Sequence, residues 1–183
     1  TFTNKAAKEM KERIEKLVGT KALDIWIGTF HACCVRILRR EIERLGFSRN
    51  FVIYDTSDQE TLMKDCINQL GYNDKNFPPK QILAEIGRAK DELIDPESYA
   101  EMAGANFRLR KVASLYALYQ RKLKANNALD FDDIILHTIR VLDANPDVLD
   151  YYQKKFKYIL LEEYQDTNTS QYRLVSMLSQ QHK

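Results

Sequence analysis

The chain has 183 residues, 44% hydrophobic and 30% charged, with a net charge of +2. That is enough apolar material for one substantial domain or for a core carrying an insertion, and enough charge for a solvated surface. Its apolar runs are only a few residues long, far below the roughly 18 needed to cross a bilayer, and no charged-then-apolar leader opens it, so neither a membrane span nor a secretory signal is expected.

Three cysteines, Cys33, Cys34 and Cys66, form an odd set with two adjacent members. That excludes a disulfide framework and fits a reducing, cytoplasmic setting; without a His/Cys pair at ligand spacing, zinc is not expected either. Charge is unevenly spread. Residues 1–50 hold 11 Lys and Arg against 6 Asp and Glu, while the remainder holds 17 against 20. A basic first third suits contact with phosphate, and it also suits ordinary solvated helix faces.

Thr1 is not an initiator methionine, and "TFTNKAA" reads as a strand end running into a helix. The chain is therefore expected to be a piece that lacks what precedes that strand. Ala7, Met10, Ile14 and Leu17 recur at helical spacing over 4–18, with Thr3 or Asn4 as N-cap and Gly19 as the stop. "LDIWI", residues 23–27, reads as a strand, "GTFHA" as the turn after it, and 31–45 as a second helix ending at Gly46. Strand alternating with helix predicts a parallel α/β sheet.

The middle of the chain is helical. Ser57 to Glu60 has the form of a capping box opening a helix to Leu70. Pro78-Pro79 starts a second helix with Ile82, Ile86, Ala89 and Leu93 on one face. A third covers about 106–125, with Leu109, Val112, Tyr116, Tyr119 and Leu123 spaced by three and four. No strand is predicted between 57 and 145, so residues 47–127 read as an all-helical insertion between core segments 1–46 and 128–183. The second core segment comprises a helix from Phe131 to about Asp143, a short helix at 147–155, the strand "KYILLEE", and a helix through Tyr172, Val175 and Leu178.

In doubly wound sheets ligands bind beyond the carboxyl ends of the strands. The clusters "TFTN", "GTFH" and "EEYQD" all fall at such ends. The strand 157–163 closes on Glu162 and Glu163, two adjacent carboxylates that repel where water is scarce, so a cation is expected beside them. An acidic pair at a strand mouth either handles Mg²⁺ and an attacking water, as in nucleotide hydrolases, or is simply solvated.

Read as a string, "LLEEYQDTNTSQY" resembles motif II of the UvrD/Rep/PcrA-type superfamily 1 DNA helicases. "TFTNKAAKEMKERI" resembles their motif Ia, "GTFHACCVRILRR" their motif Ib, and "LDFDDI" a further block before motif II. Four blocks in order cover nearly the whole chain. The resemblance implies a partial RecA-like core of the P-loop NTPase type, interrupted by a helical subdomain, in an enzyme that uses ATP and Mg²⁺ to move 3′ to 5′ along single-stranded DNA and open duplex junctions. It implies Glu162 as the Mg²⁺-associated acid, Glu163 as the catalytic base and Gln165 as part of the γ-phosphate network. Phe2, Thr3, Asn4, Thr29, Phe30 and His31 would lie along the DNA strand, where aromatic faces stack on bases and hydroxyls and amides hold phosphates.

Two departures stand out. The family usually carries Asp at the position of Glu162, and the extra methylene moves that carboxylate outward. None of the six glycines forms the phosphate-cradling G-x-x-x-x-G-K-[ST] loop, which in the family precedes motif Ia. The second lobe, with an arginine finger worth roughly 10³–10⁵ in rate, is missing as well, so the fragment alone is not expected to hydrolyse ATP. A helicase–nuclease subunit of the same superfamily, or a nucleic-acid-binding module that kept the fold and lost turnover, is the alternative reading.

Overall fold

The structure, a computed structural model, describes residues 1–180. Helices dominate. Thr3 caps α1 (Asn4–Val18) by accepting the Ala6 amide at 3.1 Å, and Gly19, at φ 61°, ends it. No residue of α1 is buried, and Leu17 at its end is 83% exposed. A 3-10 helix at Gly19–Asp24 follows, then extended backbone at Ile25. Thr29 caps α2 (Phe30–Glu41), which buries Phe30, Cys34, Ile37 and Leu38 at the i, i+4, i+7, i+8 spacing of one helical face. A 3-10 turn, Ile42–Leu45, closes on Gly46 at φ 75°, a left-handed conformation that glycine adopts without steric cost.

Residues 54–127 leave and return at one two-stranded neck. The strand β1 (Val52–Ile53) pairs in parallel with β2 (Ala128–Leu129), with Val52 opposite Ala128 and Ile53 opposite Leu129. The Val52 amide donates to Asn127 O at 3.0 Å and the Tyr54 amide to Leu129 O at 2.8 Å. Between the two strands run α3 (Thr56–Gln69), α4 (Pro79–Asp91), α5 (Pro96–Ala103) and α6 (Phe107–Ala125). These helices enclose an apolar cluster that includes Met63, Cys66, Ile67, Ile82, Ile86, Val112, Tyr116, Tyr119 and Leu123.

The second apolar cluster centres on α7 (Phe131–Ala144), whose residues from Asp133 to Ile139 are all buried, together with Val141 and Leu142. A helix buried around most of its circumference has to be surrounded, and α7 packs against α2, α4, α8 (Pro146–Lys155) and α9 (Thr169–Ser179). Phe30, Ile37, Leu38, Phe51, Tyr152, Leu174 and Met177 complete this core.

Several elements differ from the sequence reading. Neither 23–27 nor 157–163 forms a strand; β1 and β2 are the only strands among the described residues. Trp26 and residues 28–30, with Phe156 and residues 158–161, instead line a cleft of about 160 Å³, which they share with α2 and α9 and which no backbone ladder crosses. Tyr158 and Leu160 are 90% and 93% exposed, while Ile159 and Leu161 pack against the core. The segment keeps the period-2 pattern of a strand without the neighbour that would make it one. A two-residue strand, β2, does occur inside the stretch expected to hold none. The capping box of α3 belongs to Asp55 and Asp58, two residues before the predicted one.

Candidate nucleotide and nucleic-acid site

The residues expected along a DNA strand gather at helix N-termini. Thr3 and Thr29 each spend a hydroxyl lone pair on a cap, the latter accepting the Ala32 amide at 3.2 Å. Accepting leaves the hydroxyl proton available to donate. Asn4 and Thr3 are exposed, whereas Thr29 is buried. The Phe2 and Phe30 rings meet with centroids 5.7 Å apart, which ties the start of α1 to the start of α2. Phe30 is buried, so it acts as the floor under Phe2 rather than as an open stacking face.

His31, half-buried, meets the ring of Phe131 edge-on at 6.2 Å. Burial holds its pKa below the usual imidazole value, against the opposing pull of Asp132 and a backbone hydrogen bond with Phe131. His31 is thus neutral at physiological pH and suits stacking or hydrogen bonding better than charge pairing. Phe131, the first residue of α7 and 47% exposed, extends the aromatic edge to a third helix start. It was not singled out in the sequence; the "LDFDDI" block held the signal.

The acid loop is exposed. Among the described residues Glu162 has no hydrogen bond or ion pair, and Glu163 accepts from Gln165 Nε2 at 2.6 Å. The cation expected beside the pair is not supplied by these residues: water solvates both carboxylates and so relieves their repulsion. Glu163 sits at φ 51°, ψ 43°, a left-handed conformation costing a non-glycine residue roughly 1 kcal/mol or more. Such strain persists only where the surrounding structure holds it. A 3-10 turn, Tyr164–Asp166, follows, and Asn168 then caps α9 through a reciprocal box with Gln171. Leu161, at the root of this loop, lines the same cleft as Thr29 and Phe30. Of the expected residues only Thr29 and Phe30 line that cleft, and no hydrogen bond, ion pair or ring contact joins Glu162, Glu163 or Gln165 to Phe2, Thr3, Asn4, Thr29, Phe30 or His31.

The most heavily engaged polar group is one that sequence reasoning passed over. Lys90, on α4, is buried with Nζ 2.6 Å from Asp130 Oδ2 and 2.8 Å from Asp133 Oδ1. Tyr119 Oη donates to Asp130 Oδ2 at 3.1 Å, and Gln120 Nε2 to Asp133 Oδ1 at 2.9 Å. Burial and the neighbouring carboxylate push Asp130 up to about 6, while Lys90, His137 and Gln120 hold Asp133 down to about 2 despite its burial. A signal was present: Lys90 continues the Ile82–Ile86 stripe at the next i+4 position.

The family model for the UvrD/REP helicase N-terminal domain matches residues 1–183. The chain belongs to that family. ATP-dependent DNA helicase PcrA of Bacillus subtilis is 51% identical over 180 residues, covering 98% of this chain and 24% of the relative. The proteins of the same description from Staphylococcus aureus (strain Mu50) and Staphylococcus epidermidis are 48% and 49% identical over 183 residues, all of this chain and 25% of each relative. The chain therefore spans about a quarter of the length of the curated relatives it matches. No described helix of this UvrD/REP domain is long and apolar enough to cross a membrane.

Proposed function

We propose that the chain is part of the ATP-binding lobe of a DNA helicase that couples ATP hydrolysis to 3′-to-5′ movement along single-stranded DNA and to duplex opening. Residues 1–46 and 128–183 are the RecA-like segments in this reading and 47–127 the inserted subdomain. In this reading the phosphate loop belongs to the part of the same lobe that precedes motif Ia in the family, and the second lobe supplies the arginine finger. The observation that carries the reading is the family match over residues 1–183; Thr29 and Phe30 share a cleft with Leu161, the residue before the exposed acid pair.

Glu162 fits Mg²⁺. The ion keeps most of its waters and takes one or two carboxylates, and an exposed carboxylate with no partner among the described residues is a donor of that kind. When bound, the ion neutralises charge on the transferred phosphoryl group. Glu163 is the base for the attacking water, and Gln165, hydrogen-bonded to it, orients its carboxylate. Phe2, His31 and Phe131 offer ring surfaces to bases, while Thr3, Asn4 and the free amides of the α1 start donate to phosphates.

In the complete polypeptide, Glu163→Gln should lower DNA-stimulated ATPase by about 10²-fold or more, the loss expected of a missing general base, with oligodeoxythymidine affinity unchanged. Full turnover in that variant would overturn the assignment. Glu162 favours a second reading, a nucleic-acid-binding module with impaired turnover. ATPase absent in the parent and restored by Glu162→Asp would support impairment at that residue, and ATPase absent in both forms would favour the binding module.

A further inference from the structure

The last turn of α4 touches both halves of the site at once. Lys90 and Asp91 are consecutive, so their side chains leave the helix about 100° apart. Lys90 reaches α7 and Asp91 reaches α9. The two aspartates at the α7 start have all four carboxylate oxygens committed. Asp130 Oδ1 takes the Asp133 amide at 2.9 Å and Asp133 Oδ2 the Asp130 amide at 3.2 Å, leaving the other oxygen of each for Lys90. Tyr119 and Gln120 of α6 bind the same two oxygens, so the start of α7 is held against two helices of the insertion. The approach is close enough that a Cβ at Gly87 would lie 2.8 Å from Asp132 Oδ2.

On the other side, Asp91 Oδ1 accepts from Asn168 Nδ2 at 2.7 Å. Asn168 Oδ1 takes the Gln171 amide at 2.9 Å and Ser170 Oγ–H at 3.0 Å, so the same residue that starts α9 is tethered to α4. Asn168 lies two residues beyond the turn that follows Glu163. Phe131 and Asp132 lie between Asp130 and Asp133, at the aromatic edge that meets His31.

We propose that Lys90 and Asp91 are positioning residues through which the acid loop and the DNA-facing edge sense one another: the loop shifts Asn168, Asn168 shifts Asp91, and Lys90 carries the displacement to the start of α7. A buried ion pair is weak evidence for stability but a well-attested means of specifying one arrangement, and a rigid element joined to two sites by short polar contacts is a physical carrier of coupling. The inference rests on the proposed helicase reading, because it takes one end of the link to be a nucleotide site and the other a DNA site.

The test uses the complete polypeptide with oligodeoxythymidine as the DNA. Asp91→Ala removes the acceptor, and Asp91→Asn keeps a carbonyl oxygen at that place. Asp91→Ala is expected to keep Tm, basal ATPase and oligonucleotide affinity near the parent's while stimulation of ATPase by DNA falls roughly tenfold, within the usual range of coupling between sites. Asp91→Asn is expected to restore most of it. Undiminished stimulation in a folded Asp91→Ala protein overturns the proposal. A second measurement needs no turnover: in the parent, oligonucleotide binding should slow amide exchange at the start of α9, and Asp91→Ala should abolish that change. Absence of the change in the parent also overturns the coupling, while a parent that binds DNA but shows no ATPase overturns the helicase reading beneath it.

Discussion

Lys90 is a cation without water, and its cost is met by two carboxylates that are themselves out of water. Removing one member of such a group leaves the others uncompensated, which is worth about 3–5 kcal/mol. Lys90→Met should therefore destabilise the chain by about that much at neutral pH, read from urea denaturation. Converting the whole group, Lys90→Met with Asp130→Asn and Asp133→Asn, should recover most of the loss, since asparagine still serves as an N-cap. The pH dependence separates the two variants. Asp130 already stands at about 6 in the folded chain, above its unfolded value, and losing Lys90 raises it further. A carboxyl raised on folding contributes stability below its unfolded pKa and loses it as pH climbs through the folded one. The single variant should thus lose stability steadily from pH 4 to 8, relative to the triple variant, which carries no such carboxylates. Parallel pH profiles for the two would refute this account of the group.

At the scale of elements, the two threonine caps are chemically alike and differ in what they hold. Thr29 opens α2, whose Phe30, Cys34, Ile37 and Leu38 lie in the core. Thr3 opens α1, which buries nothing. Thr29→Val keeps the buried volume, removes the cap, and should cost about 1 kcal/mol of global stability. Thr3→Val should leave the denaturation midpoint in place and instead speed amide exchange within α1, because an element that fully buries no residue opens on its own. Equal shifts in midpoint for both would show α1 to be more firmly docked than its exposure implies. The same contrast explains what could be read from the sequence. Helices such as α4, α6 and α9 carry their spacing, caps and stops locally, so 79–91, 107–125 and 169–179 were legible within a residue or two. A strand depends on a neighbour. "LDIWI" and "KYILLEE" have the composition and alternation, yet they line a cleft instead of pairing with each other. β1 and β2, two residues each, are too short to leave any pattern. Glu162 and Glu163 were singled out as the charged end of an apolar run and, with Gln165, as a motif, whereas the Lys90 group escaped because charge on an apolar stripe looks like a solvated face until α6 and α7 close over it.

For the whole molecule, the consequence is an unequal surface. The cluster within α3, α4, α5 and α6 is enclosed by those helices and closed at the β1–β2 neck. The other cluster is covered by helices on the α7 side and stands open along 156–161, where Tyr158 and Leu160 project into solvent. An extended segment with unpaired backbone groups and exposed apolar side chains is a template for association. The 183-residue chain is therefore expected to self-associate as its concentration rises. Replacing Leu160 with Glu and Tyr158 with Lys should shift it toward monomer in sedimentation equilibrium. Both side chains lie outside the core, so the midpoint of unfolding at low concentration should move by less than about 0.5 kcal/mol. A chain that stays monomeric at high concentration before any substitution would show that the cleft between 26–30 and 156–161 is self-sufficient. Loss of folding in the double variant would mean that the alternation along this segment reports packing rather than an unused edge.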